Sequence, residues 1–158
     1  MPAVIEATSV FEIARCAANP PAVYAWLLKE VQSGEVLFPN GVGEHLKLIV
    51  RDDGHPSIMW LTGARPLRTR EDPLLQWRTF VIDTVPDLVD LEPPERSAVG
   101  VLAMAYELEQ DGEKALVVTE DSHDVEGLRM SLKTACAQLG VDCIEVRYWL
   151  SDHGHALV

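Results

Sequence analysis

Ala115-Leu116-Val117-Val118-Thr119-Glu120-Asp121 is an apolar run that ends in a threonine and two acids. A strand with one wet face alternates apolar and polar residues, whereas a continuous run belongs to a strand covered on both faces, as in a parallel sheet. The turn Asp111-Gly112-Glu113 precedes this strand. A helix is expected from Val125 to Leu139, with Gly140 as its C′ residue, and Val141 to Val146 reads as the last strand. Strand, helix, strand in that order implies a parallel crossover unit.

The same alternation runs back to the start. Residues 3–6 read as a short buried strand, and Thr8 or Ser9 is placed to cap a helix reaching about Ala18. Pro20-Pro21 interrupts it and opens a second, amphipathic helix, Ala22 to Gln32, with Val23, Trp26, Leu27 and Val31 on one face. Ser33-Gly34 ends that helix. Glu35 to Phe38 is the second strand, and a helix carrying Glu44 follows to Val50. Helical stretches are expected at Ile58–Leu61, Trp77–Asp83 and Glu95–Glu109, the last with Ala98, Val99, Leu102, Ala105 and Tyr106 on one apolar face. The expectation is an α/β fold, a three-layer αβα sandwich with a mainly parallel, Rossmann-like sheet. It forms a single domain over residues 1–158, with its core at 3–147 and a tail at 148–158.

Composition narrows the function classes. The chain has 158 residues, 47% apolar and 24% charged, with 25 acids against 13 bases and a net charge of −12. That balance disfavours passive nucleic-acid binding and favours a basic protein partner. Cys16, Cys136 and Cys143 show no CxxC spacing and read as small buried groups in a reducing compartment. The N-terminal stretch lacks a basic n-region, and no apolar run approaches the roughly 20 residues of a membrane span, so a cytoplasmic location and no membrane partner are expected.

Carboxylates stand where strands end or helices begin: Glu6, Glu44, Glu95 and the pair Glu120-Asp121. Converging at the carboxyl ends of parallel strands, they would suit Mg²⁺ or Mn²⁺, which favour oxygen ligands and commonly serve phosphodiester hydrolysis. Each also has a purely local role open to it, as a helix cap, a first-turn acid or a solvated strand end. Arg65, Arg68 and Arg70 form a basic stretch that either contacts RNA phosphates or pairs with Glu71 and Asp72. His153 and His155 fall in the tail, where a mobile terminus is expected rather than a metal site.

The strongest similarity to a known family lies in Pro94-Glu95-Arg96-Ser97-Ala98-Val99-Gly100-Val101-Leu102-Ala103-Met104-Ala105, Ala115 to Asp121, and Ala137-Gln138-Leu139-Gly140. Together with Glu6-Ala7-Thr8 and Glu44, this order resembles the PIN domain over roughly residues 3–147. The resemblance implies a Mg²⁺- or Mn²⁺-dependent endoribonuclease acting on RNA, such as the toxin of a toxin–antitoxin pair. Glu6, Glu44, Glu95 and Asp121 would be catalytic metal ligands, with Glu120 assisting; an antitoxin partner and a homodimer belong to the same expectation. Two positions depart from the family pattern. Glu6 stands where an Asp is usual, and Ser97 falls where other members place an Asp. The alternative is a PIN-like domain with a degenerate site that binds protein or nucleic acid. A third reading, a different Rossmann-like domain, lacks the GxGxxG or GxxxxGK[ST] loop that nucleotide binding would call for.

Overall fold

The computed structural model describes residues 1–88 and 97–158. Four strands, β1 (Ala3–Ile5), β2 (Val36–Leu37), β3 (Leu116–Val118) and β4 (Asp142–Ile144), form one sheet in the order β2-β1-β3-β4. All neighbours are parallel: Ala3 pairs with Val36 on one side and Leu116 on the other, and Val117 pairs with Cys143. β1 and β3 are central and wholly apolar, as the unbroken runs require.

Two groups of helices cover the sheet and complete the three-layer αβα sandwich. One gathers on α1 (Ala7–Cys16), with α2 (Pro20–Ser33), α3 (Asn40–Ile49), α4 (Pro56–Ala64) and, near the C-terminus, α8 (Val146–Asp152). The other gathers on α6 (Ala98–Gln110), which packs on β1 and β3 and is flanked by α5 (Leu75–Thr84) and α7 (Leu132–Leu139). The core is aliphatic, with Ile5, Ile13, Leu27, Leu46, Leu102, Met104 and Leu132 fully enclosed.

Three elements differ from the expectation. The helix read over Val125–Leu139 begins only at Leu132. Residues 125–129 instead close a tight turn, with Val125 and Arg129 exchanging two backbone hydrogen bonds of 2.8 Å and Gly127 at φ 75°. Side chains upstream take the helix's first donors: Asp121 accepts from the Leu132 N–H at 3.2 Å and Asp124 from the Ser131 N–H at 2.7 Å. Secondly, α1 starts at Ala7, and its cap is Glu6, not Thr8 or Ser9. Thirdly, the C-terminal stretch is not a mobile tail. α8 packs on α1, and the rings of Trp149, His153 and His155 lie 4.5–5.2 Å from Trp26. Val158 N–H donates to the Cys16 carbonyl at 2.9 Å. The aromatic anchors at Trp26 and Trp149 supply the burial that a tail of polar residues would lack.

Gly140 caps α7 in the left-handed conformation at φ 71°, and a Cβ there would meet no atom within 4 Å. Its requirement is therefore one of backbone alone. Gly140→Ala is expected to cost about 1 kcal/mol in urea unfolding, with no change in the folded spectrum. A neutral effect would show that the αL cap does not hold the α7–β4 junction.

Candidate acidic site at the sheet switch point

β1 leads to β2 on one side and lies beside β3 on the other, so the chain reverses direction across the sheet between β1 and β3. In open α/β sheets, ligands bind beyond the carboxyl ends of the strands at such a point. Glu6 follows β1 there, and Thr119-Glu120-Asp121 follows β3. A pocket of about 390 Å³ opens at this edge, lined among others by Glu6, His45, Glu120, Asp121, His123 and Arg129.

Glu6 lies inside the protein, only 2% exposed. The extra methylene relative to Asp does not carry the carboxylate outward. Extended backbone at φ −100°, ψ 156° lets the side chain fold back over the first turn of α1, where Oε2 accepts from the Thr8 N–H at 3.1 Å and from the Thr8 hydroxyl. Thr119 Oγ1 donates to the same oxygen at 2.9 Å and so joins β3 to the β1–α1 junction. Oε1 faces His45 Nδ1 at 3.3 Å and Ser97 Oγ at 3.4 Å. Burial by itself would raise the Glu6 carboxyl, but the hydrogen bonds from His45, Thr8 and Thr119, with the imidazole's charge, outweigh it and hold the group below its usual value.

Glu44 stands elsewhere. It lies mid-helix in α3, not at the helix start, with its side chain 70% exposed and paired to Arg65 Nη2 at 2.9 Å. One residue along a helix turns the side chain by about 100°, so His45 takes the place beside Glu6. Ser97 fills the space next to it, its hydroxyl 3.1 Å from His45 Nδ1. Glu95 lies outside the described residues. Among the described residues, the groups that meet the Glu6 carboxylate are an imidazole and three hydroxyls, with the Thr8 N–H.

No family model, no curated protein and no solved structure matches this chain.

The two acids after β3 line the pocket but are engaged in holding the fold. Asp121 pairs with Arg129 at 2.5 Å while capping Leu132. Glu120 accepts from Ser9 Oγ at 2.8 Å and from the Val146 N–H at 3.1 Å, tying α1 to the start of α8. Burial, with Glu145 and Glu12 nearby, pushes its carboxyl up despite those bonds. Among the described residues no group of three or more His, Cys, Asp or Glu side chains is arranged to hold a metal ion.

The arginine stretch is built into the scaffold. Arg68 donates to the Phe38 carbonyl at 3.0 Å and to Asp72 at 3.1 Å, and Asp72 in turn accepts from the Asn40 N–H at the start of α3. Arg70 bridges Glu107 on α6 and Asp111 at its C-terminal cap, at 2.9 and 2.8 Å. Arg65 belongs to Glu44. These partners, among them the Asp72 that the sequence offered, fix the chain between α4 and α5 against α3 and α6.

His45 and Arg129 are site residues that sequence reasoning passed over, while Ser97 and Thr119 enter it without a role at the site. For His45 a signal was present: it shares a helical face with Val42 and Ile49, one turn to either side, whereas Glu44 shares its face with exposed Lys47 and Leu48.

The Glu6 network makes a signed prediction. A carboxyl whose folded pKa lies below its ordinary value of 4.5 contributes stability that is present above that value and is lost as pH falls through the folded one. Glu6→Gln should cost on the order of 2 kcal/mol at about pH 7. The gap to wild type should close as the solution is acidified below about pH 4 in a urea series. A constant gap across that series would mean that the charge of Glu6 is not what the network stabilises.

Proposed function

We propose that this chain is a PIN-like α/β domain whose switch-point site has given up metal-dependent RNA cleavage, and that it works by binding a basic protein partner. The replacement of acids by His45 and Ser97 around a buried, fully hydrogen-bonded Glu6 carries this reading. A metal drawing on Glu6 would have to displace the donors from Thr8 and Thr119, and one drawing on Asp121 would have to displace Arg129. The first leaves the buried Thr119 hydroxyl unpaired, at a cost of about 1–3 kcal/mol, and the second breaks a half-buried ion pair. The net charge of −12 supports a cationic partner and opposes a polyanion. No helix among the described residues is long and apolar enough to cross a membrane, so nothing here points to a membrane partner.

One observation favours the nuclease as second reading. Glu6, Glu120 and Asp121 line the same pocket, with Arg129 near enough to meet a phosphate. In that case Mg²⁺ or Mn²⁺ would be the cofactor and RNA the substrate.

The two readings separate in one set of measurements on the purified chain. Thermal unfolding with Mn²⁺ should show no shift, whereas a resident site at about a hundredfold its Kd would add about 2.7 kcal/mol. A labelled RNA pool should survive with Mn²⁺, Mg²⁺ or EDTA alike. A lysine-rich peptide should bind with an affinity that falls as salt is raised. Metal-dependent cutting that disappears in Asp121→Asn would overturn the binding reading and restore the ribonuclease.

A further inference from the structure

We propose that residues 153–158 form a pH-sensitive latch over the α1–α2 junction, closed while His155 is neutral and released once His153 and His155 both carry a proton. The inference stands independently of the binding reading, because it concerns the side of the molecule where α1, α2 and α8 meet. α8 ends at Asp152, and Gly154, at φ 81°, turns the chain back. Residues 156–158 then run antiparallel to the junction, with Ala17 bridged to Leu157. The Ala18 N–H donates to the Ala156 carbonyl at 2.9 Å, and the Val158 N–H to the Cys16 carbonyl at 2.9 Å. Leu157 packs, half-buried, against the core, while Ala156 and Val158 are exposed. Two backbone bonds and one leucine are a slight hold, and the rest of it comes from rings.

The His155 ring lies 4.5 Å from Trp26 and the His153 ring 5.1 Å from it, so two imidazoles rest on one indole. Trp149 completes the cluster, 5.2 Å from both Trp26 and His153. The two imidazoles differ in what a proton does to them. His153 is exposed, and its Nδ1 donates to the Trp149 carbonyl at 2.8 Å, so a proton adds at Nε2. His155 Nε2 is enclosed and meets no hydrogen-bond partner among the described residues. Protonation of that ring sets an N–H where nothing accepts it and a charge where water is excluded. Trp26 attracts one cationic ring through its π face, but two cations on the same indole repel each other.

Burial, and then the charge of His153, hold the His155 ring below its ordinary 6.5. Among the described residues His153 is the only charged group that acts on it: Glu12 and Arg15 on α1, Lys29 and Glu30 on α2, and Arg147 and Asp152 on α8 do not. Above 6.5 the ring is neutral whether latched or free, and the latch keeps its full stability. As pH falls below that value the released ring takes up a proton first, so the closed form loses ground. Release leaves the Cys16 carbonyl and the Ala18 N–H without their partners and bares Trp26.

Amide hydrogen exchange, followed by NMR on the full chain, reads the latch at the Ala18 N–H. Its protection, corrected for intrinsic exchange, should fall about threefold or more between about pH 7.5 and 5.5. Leu116, whose N–H is held by the Pro2 carbonyl beside the central strands, should stay the better protected throughout, which marks the opening as local. His155→Phe keeps a ring against Trp26 but takes up no proton, and should abolish the pH dependence at Ala18. His153→Gln should reduce it, through the loss of one of the two charges. Equal protection at Ala18 and Leu116 would overturn the proposal, and so would a pH dependence that persists in His155→Phe. Should that variant fail to fold, the wild-type imidazole resonances decide: a His155 ring that titrates below 6.5 supports the latch, and one that titrates at or above it sinks it.

Discussion

A single buried carboxylate holds the two halves of this protein together. Glu6 ends β1, caps α1, receives Thr119 from the end of β3 and meets His45 of α3 and Ser97 at the start of α6. The β1–α1 junction, α3, the start of α6 and the end of β3, all far apart in sequence, therefore converge on one side chain. An ionised group at this depth survives only when donors surround it. The hydroxyls of Thr8, Thr119 and Ser97 and the ring of His45 are thus conditions of the architecture as much as features of a site.

The same arrangement gives several of the acids structural partners. Asp121 and Asp124 fasten the loop after β3 to the start of α7, Glu120 joins α1 to α8, and Glu107 holds Arg70 and the Leu74 N–H. Several of the 25 acids are thereby spent on internal joints. Such joints are stabilising mainly where helix termini would otherwise leave N–H groups unpaired. The remaining acidic surface gives the molecule its long-range field, which acts on partners rather than on the fold.

The layered fold was legible because its signals are local. Leu116-Val117-Val118 has one reading wherever it occurs, and Pro20-Pro21, Ser33-Gly34 and Gly140 mark element ends through their own backbone chemistry. The site was less legible because its membership turns on rotation and on distant partners. Whether Glu44 or His45 faces Glu6 is a matter of one step around a helix. Sequence spacing alone could not tell that Asp121 would find Arg129, or that Arg70 would find two acids on α6. The helix assigned from Val125 failed for a related reason: Val125 and Leu128 carry the right periodicity, but Asp121 and Asp124, just upstream, cap the backbone at Ser131 and Leu132 instead. The C-terminal residues escaped reading because His153 and His155 become structural only once Trp26 is beside them.

The position of β1 also has a consequence for how the molecule is made. This strand precedes the other three in the chain, yet it lies inside the sheet and needs β3, more than a hundred residues later, as its second neighbour. The junction between α1 and α2 waits longer still, since residues 156–158 lay their backbone along Cys16–Ala18. Contacts of such sequence separation carry a large loop-closure cost and slow folding. During synthesis β1 therefore has one edge without its final partner until β3 has emerged. The packing of β1 thus waits on β3, and that of the α1–α2 junction on residues 156–158.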